Sequence, residues 1–421
     1  MQASDNESTS VEHEGVFHSL RNFNYRLWAA GFAVSSIGTW MQRTAMDWLV
    51  LTKLSNANAS ALGTILALQF LPMLLFVPFT GAAADRFDRR KLLYITQSAL
   101  AVLSFGIGIL TIFGAVQLWH CYLFAFVFGT AVAFDTPARQ SFISELVPDS
   151  LLPNAVALNS ASFSLARMIG PAIAGVLIAK FGSGHLFVLN GISFFAVLAS
   201  LFFLKRNELG DAHKAKRGSG TMSEGLKYVW ETPALLVVFV MLFFIGTFGI
   251  NFPIFISTMS IKAYHAGPAV YGFLGSMMGI GAVVGALMAA KRKNADVRTL
   301  TVAAGIFGIG FTIAAFMPSY TLFGLTLILI GAATQTFTAT ANSNVQLSTV
   351  PSMRGRIMSF FTTLTLGSTP IGAPIVGYIA DRFGPRMGLA VGALAGFAAL
   401  ICGLIFLNGS KSKSNDNESS I

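Results

Sequence analysis

The sequence predicts an all-α membrane protein of twelve spanning helices arranged as two six-helix repeats. Three observations predict it. Of 421 residues, 54% are hydrophobic and only 11% are charged, whereas a soluble domain carries about a quarter charged residues. The apolar residues gather into runs long enough for a membrane helix, which needs about 20. The glycine and proline pattern of the first half returns in the second.

The runs lie near residues 26–52, 60–84, 92–114, 118–138, 155–180 and 186–204, then 233–260, 269–290, 299–316, 321–341, 356–380 and 387–407. Most connections are a few residues, so successive spans are antiparallel. Residues 1–22 are polar and acidic (Asp5, Glu7, Glu12, Glu14) and read as a disordered tail. They lack the basic start of a cleaved signal peptide. Residues 23–204 form the first six-helix bundle and 233–407 the second. Between them, 205–232 carries Lys205, Arg206, Lys214, Lys216, Arg217 and Lys227 among Gly and Ser, a flexible basic linker. Residues 408–421 read as a second disordered tail.

The repeat is visible residue by residue. Gly170, Gly175, Phe181 and Gly182 recur 202 positions later as Gly372, Gly377, Phe383 and Gly384, and Gly129 recurs as Gly331. Span 5 therefore corresponds to span 11, and span 4 to span 10. Such repeats place a cavity on the axis between the halves.

Net charge is +10, but the cations sit in short loops between apolar spans, which is a topology signal and not a nucleic-acid surface. Arg86, Arg89, Arg90 and Lys91, the linker, Lys291, Arg292 and Lys293, and Lys411 and Lys413 all fall on one side; Lys53, Lys180, Lys262, Arg382 and Arg386 fall on the other. Both termini are expected in the cytoplasm. Cys121 and Cys402 are far apart and lack metal or disulfide spacing. No phosphate-binding loop, metal cluster or nucleophile–base arrangement appears, so neither a cofactor nor an enzyme is expected.

Charges inside spans need a reason. Arg43 and Asp47 lie one turn apart on span 1 and read as a proton-coupling pair, with a neutralised pair that holds helix 1 against its neighbours as the alternative. Arg167 on span 5 has no carboxylate within a turn, and Asp47 is one candidate partner. A cationic cavity of this kind favours neutral or anionic guests. Gln42, Asn159, Asn251 and Gln335 complete the candidate cavity, with plain helix–helix hydrogen bonds as the alternative. The second half has no intramembrane charge, so a proton site belongs in the first.

The loop Gly81-x-x-x-Asp85-Arg86-x-x-Arg89-Arg90 resembles the signature between helices 2 and 3 of the major facilitator superfamily, with Asp88 at the usual glycine. The resemblance implies a conformational latch. Asp85 would face the start of span 11, and Arg89 would pair with an acid on span 4, for which Asp135 is the candidate, with Arg139 one turn on. The similar run Gly377 to Arg386 follows span 11 on the opposite side and is not read as the latch. Gly170, Pro171 and Gly175 resemble in part the antiporter motif of exporters, and equally suit helix packing. With Ser35 to Val50, Phe134 to Pro148 and Asn159 to Pro171, they resemble a bacterial branch containing siderophore and macrolide exporters. This implies a major facilitator fold in the bacterial inner membrane: a monomer exporting small lipophilic or amphipathic molecules in exchange for protons. Proton-coupled uptake of a metabolite and a non-transporting sensor are the alternatives.

Overall fold

The computed structural model describes residues 17–76, 79–80, 83, 86–210, 222–292, 296–350 and 353–418, and it is helical throughout, with no strand among them. The first half holds α1 (Phe23–Leu49), α2 (Ala59–Leu75), α3 (Arg89–Ile112), α4 (Leu118–Leu146), α5 (Leu152–Phe181) and α6 (Ser183–Phe203). The second holds α7 (Pro233–Ala263), α8 (Pro268–Ala290), α9 (Val297–Phe316), α10 (Tyr320–Ser348), α11 (Arg354–Leu366 and Thr369–Phe383) and α12 (Pro385–Glu418).

Nine of these described helices are long and apolar enough to cross a bilayer. The other three fall short for local reasons. α1 carries Arg26, Arg43 and Asp47 along its length. The described part of α2 has 17 residues. α11 breaks around Gly367 and Ser368. α7 is interrupted by π-type turns at Ile245–Gly249 and Met259–Ala263, with Asn251 in the break. Such turns cluster at functional helices. Apolar side chains such as Ile95, Val102, Phe202, Leu394 and Ile405 point outward, the belt expected of a lipid-facing surface.

Caps start the helices where the sequence changes character. Asn58 accepts from Ala61 N, Asp88 from Lys91 N and Asp296 from Thr299 N, each filling an orphan donor of the first turn. Hydrogen bonds from Thr299 hold the Asp296 carboxyl below its ordinary range.

Within the first half, α1 packs on α5 and α6, α3 on α4 and α6, and α2 on α4; within the second, α8 packs on α10, α9 on α10 and α12, and α7 on α12. Two seams join the halves, α5 on α8 and α2 on α11. Each is the other's counterpart under the repeat, since 5 maps to 11 and 8 to 2.

Both seams close by glycine. A Cβ on Gly175 would lie 2.6 Å from Pro268 O, one on Gly63 would lie 2.5 Å from Ala373 O, and one on Gly377 would lie 2.5 Å from Ala59 O. These contacts sit at the end away from the α2–α3 loop and linker. At the basic end, by contrast, Ser160, Ala161 and Ser164 of α5, Ser343 and Gln346 of α10, and Arg354 and Gly355 of α11 are exposed. The space between the halves is therefore open toward the basic end and shut at the other.

Three expected boundaries change. Residues 17–22, expected as tail, dock: Ser19 is buried and its hydroxyl donates to Asn154 Oδ1 (2.7 Å). Part of the expected flexible linker is a helix, Met222–Glu231, with Arg356 bridging to Glu224 (2.9 Å). α12 continues past 408 to Glu418, because the lone Gly409 has no proline after it to stop the helix.

Candidate functional site

The polar interior of the first half is built around α1. Gly170 lets α5 approach Trp40: a Cβ there would lie 2.6 Å from Trp40 Cβ. The Trp40 ring then carries two guanidiniums, Arg43 at 5.0 Å and Arg167 at 5.8 Å, and meets Phe163 edge-on at 5.8 Å. Cation–π contact is one of the few ways to hold an arginine away from water without a carboxylate. Among the described residues, no carboxylate lies within salt-bridge distance of Arg43 or Arg167.

Neither the expected Arg43–Asp47 pair nor the candidate Asp47–Arg167 pair forms a salt bridge. Asp47 is 6% exposed and accepts a 2.7 Å hydrogen bond from the Tyr271 hydroxyl of α8, across the seam. Trp48 stacks on the same tyrosine at 6.1 Å. The carboxylate is thus tied by a hydrogen bond to the other half of the molecule, while Arg43, one turn away, makes no salt bridge with it.

A cleft opens beside Arg43 between α1, α3, α4 and α5, lined also by Ser36, Thr39, Gln97, Asp135 and Arg139. Asp135 accepts from Thr96 Oγ1 and Gln97 Nε2, both at 2.8 Å, and faces Arg139 at 3.7 Å. Arg139 also lies 4.8 Å over the Phe32 ring. Asp135 therefore belongs to this cleft and not to the latch.

The acid on α4 that takes Arg89 is Glu145, at 2.7 Å, with the two side chains 7% and 13% exposed. Arg90 donates to Leu201 O and lies over Tyr94, and Arg86 is exposed. Gly81 and Asp85 lie outside the described residues. Of the remaining expected cavity residues, Asn159 and Gln335 are half-buried, whereas Gln42 and Asn251 are buried ties. Asn190 donates to Gln42 Oε1 (2.9 Å), and Asn251 donates to Thr247 O (2.7 Å). Spacing alone shows neither bond. Pro171 and Gly175 lie on the α5–α8 seam, where Gly272 packs against both, whereas Gly170 faces Trp40 of α1.

The shut end carries a clamp that sequence reasoning missed. Asp381 of α11 accepts from Ala59 N and Ser60 N (2.7 Å each) and from Ser60 Oγ (2.6 Å), and pairs with Lys262 at 2.8 Å. A carboxylate thus caps the N-terminus of α2, where the helix dipole favours an anion. Opposite charges at the ends of spans 7 and 11 were the only signal. Tyr271, a lone phenol in a glycine-rich span, was the corresponding signal for Asp47. Among the described residues no three His, Cys, Asp or Glu side chains group as a metal site, and both cysteines are free.

Comparison with known proteins agrees with this architecture. The chain is 26% identical over 353 residues to the staphyloferrin A transporter of Staphylococcus aureus, covering 83% of this chain and 87% of that one. It is 24% identical over 394 residues to macrolide efflux protein A of Streptococcus pyogenes, covering 90% and 95%. A bacterial homologue of the human lysosomal transporter Spinster, solved inward-facing and unoccupied, superposes with a TM-score of 0.67 at 14% identity, covering 91% and 95%. The described geometry and a match to the family "Transmembrane secretion effector" over residues 15–421 together make this chain a member of that family of major facilitator transporters.

Proposed function

We propose that this protein exports small lipophilic or amphipathic molecules of the drug, macrolide or siderophore type from the cytoplasm, in exchange for protons. The bodies that rock are residues 23–204 and 233–407, joined by the 205–232 linker, in a monomer. The cation bias of the loops supports an inner-membrane location with both termini in the cytoplasm. The open basic end then faces the cytoplasm, the side from which an exporter loads.

One observation carries the exchange reading: the buried Asp47 carboxylate is bonded to Tyr271 across the seam that must part when the opposite end opens. Parting removes its hydrogen-bond donor and brings it to outside water, where it takes a proton. In the resealed seam the Tyr271 hydroxyl again donates to and favours the bare carboxylate, so the proton leaves inward. Substrate and proton use the two orientations in opposite directions, and each charge crossing 100 mV is worth about 2.3 kcal/mol.

The test is flux of the neutral lipophilic dye Nile red in everted vesicles with an imposed pH gradient. The expected result is accumulation driven by acid inside, and its loss in Asp47→Asn with expression retained. Accumulation in the reverse sense establishes uptake. No gradient dependence in either sense refutes exchange.

A further inference from the structure

We infer that the cavity is built for an organic anion: an amphipathic molecule with a carboxylate or comparable acidic group, bound by Arg43 and Arg167 beside Trp40. The inference deepens the export reading and rests on it for one point only, that the open space is the substrate path.

The interior of the first half contains three guanidiniums, Arg43, Arg139 and Arg167, against two carboxylates, Asp47 and Asp135. Both carboxylates are committed. Asp47 accepts from Tyr271, and Asp135 accepts from Thr96 and Gln97 and faces Arg139. Arg43 and Arg167 each lie beside the Trp40 ring, with no acid within salt-bridge distance among the described residues. Arg43 Nε is buried without a hydrogen-bond partner there. A charge held away from bulk water needs a counter-charge, so two half-buried arginines beside one indole leave room for an anion.

The opposite wall supplies the second half of the recognition. Away from their end turns, and apart from Lys411 and Lys413 on the extension of α12 past residue 408, the described helices α7 to α12 carry no Asp, Glu, Lys or Arg. A guest with an acidic head on α1 and α5 therefore lays an apolar body against an uncharged wall. Phe163, edge-on to Trp40 and 43% exposed, extends the apolar surface beside the head-group site. A cationic amphiphile meets the same wall but is repelled by the guanidiniums, and a neutral one gains only the apolar contact.

The experiment is equilibrium binding to the full chain in nanodiscs, without any gradient, read by energy transfer from tryptophan to pyrene. Three probes share one apolar body: pyrenebutyrate, pyrenebutanol and pyrenebutyl-trimethylammonium. One charge-assisted contact is worth about 1.5–3 kcal/mol, so pyrenebutyrate is expected to bind roughly ten- to a hundredfold more tightly than the alcohol. The ammonium should bind weakest. Arg167→Gln and Arg43→Gln should each weaken pyrenebutyrate about tenfold while leaving the alcohol unchanged, which also shows the variants to be folded. Arg167→Lys should retain the preference in part. Equal binding of anion and alcohol in the unsubstituted protein, tightest binding of the ammonium, or an anion preference unmoved in both glutamine variants would overturn the inference. The probe ranking decides the matter even if a variant fails to fold. A protein that favours the ammonium yet pumps it sinks this inference and spares export; one that favours the anion but shows no flux does the reverse.

Discussion

Replacing Asp381 by Asn should loosen the shut end of the transporter. The carboxylate receives two backbone N–H bonds and one hydroxyl bond from the start of α2, at 2.6–2.7 Å, and one ion pair from Lys262 at 2.8 Å. Asparagine keeps one carbonyl acceptor, but its amide turns two donors toward donors. A hydrogen bond to a charged group is worth about 1.5–3 kcal/mol and a neutral one about 1. The anion at a helix N-terminus adds about 0.3–1 kcal/mol. Asp381 is only 21% exposed and Lys262 26%, so a modest discount for solvent leaves about 2 kcal/mol. That is roughly a thirtyfold shift in the ratio of shut to open. The assay is the distance between spin labels at Lys53→Cys and Arg386→Cys, exposed positions on the two halves at this end, in a Cys121→Ala and Cys402→Ala background. Asp381→Asn should transfer population to longer distances. Lys262→Met should do so less, because the helix N-terminus still holds the carboxylate. An unchanged distribution in Asp381→Asn, or a larger effect from Lys262→Met, refutes the reasoning.

Three further outcomes follow from the same geometry. Arg89→Ala and Glu145→Ala should be non-additive in thermal stability by about 0.5–3 kcal/mol, whereas Arg89→Ala and Asp135→Ala should add; the reverse would return Arg89 to Asp135. Gly175→Leu should block closure and abolish flux, since even its Cβ would press on Pro268 O, while Gly106→Ala, with nothing within 4 Å, should leave flux intact and help α3 by about 1 kcal/mol. Tyr271→Phe keeps the stack on Trp48 and deletes only the hydroxyl that reaches Asp47, so the same spin-label pair should open, by less than in Asp381→Asn; no change would mean the bond does not hold the seam.

Period, hydropathy and loop charge made the helices legible, because a bilayer imposes them on every span. The repeat was legible too, since Gly175 and Gly377 serve the same close crossing in the two seams. Partners were not. Asp135 and Glu145 lie ten residues apart on one helix, and nothing in their spacing says which one meets Arg89. Asp47 finds Tyr271 at 224 positions and Asp381 finds Ser60 at 321; contacts between halves leave no periodic trace. Gln42 and Asn251 look like cavity polar groups in a string of letters, and nothing there shows that Gln42 accepts from Asn190 or that Asn251 bonds back to its own helix at Thr247.

The position of Asp381 has a consequence for the opposite end. It sits at the end of α11 and holds the start of α2. Under the repeat, helix 2 maps onto helix 8 and helix 5 onto helix 11, so the two seams exchange. Resemblance to the superfamily signature implies the complementary contact at the basic end, Asp85 after helix 2 holding the start of helix 11. In the present orientation that start is exposed at Arg354 and Gly355, and a Cβ on Gly355 meets nothing within 4 Å. Two anions would then serve the same pair of helices at opposite ends, each able to hold only its own end shut. Asp85→Asn should accordingly leave the shut state of the Lys53–Arg386 end in place or favour it, opposite in sign to Asp381→Asn, and the double variant should fall between the two. If Asp85→Asn opens that end instead, the two carboxylates do not compete, and helices 2 and 11 are not the element on which the halves switch.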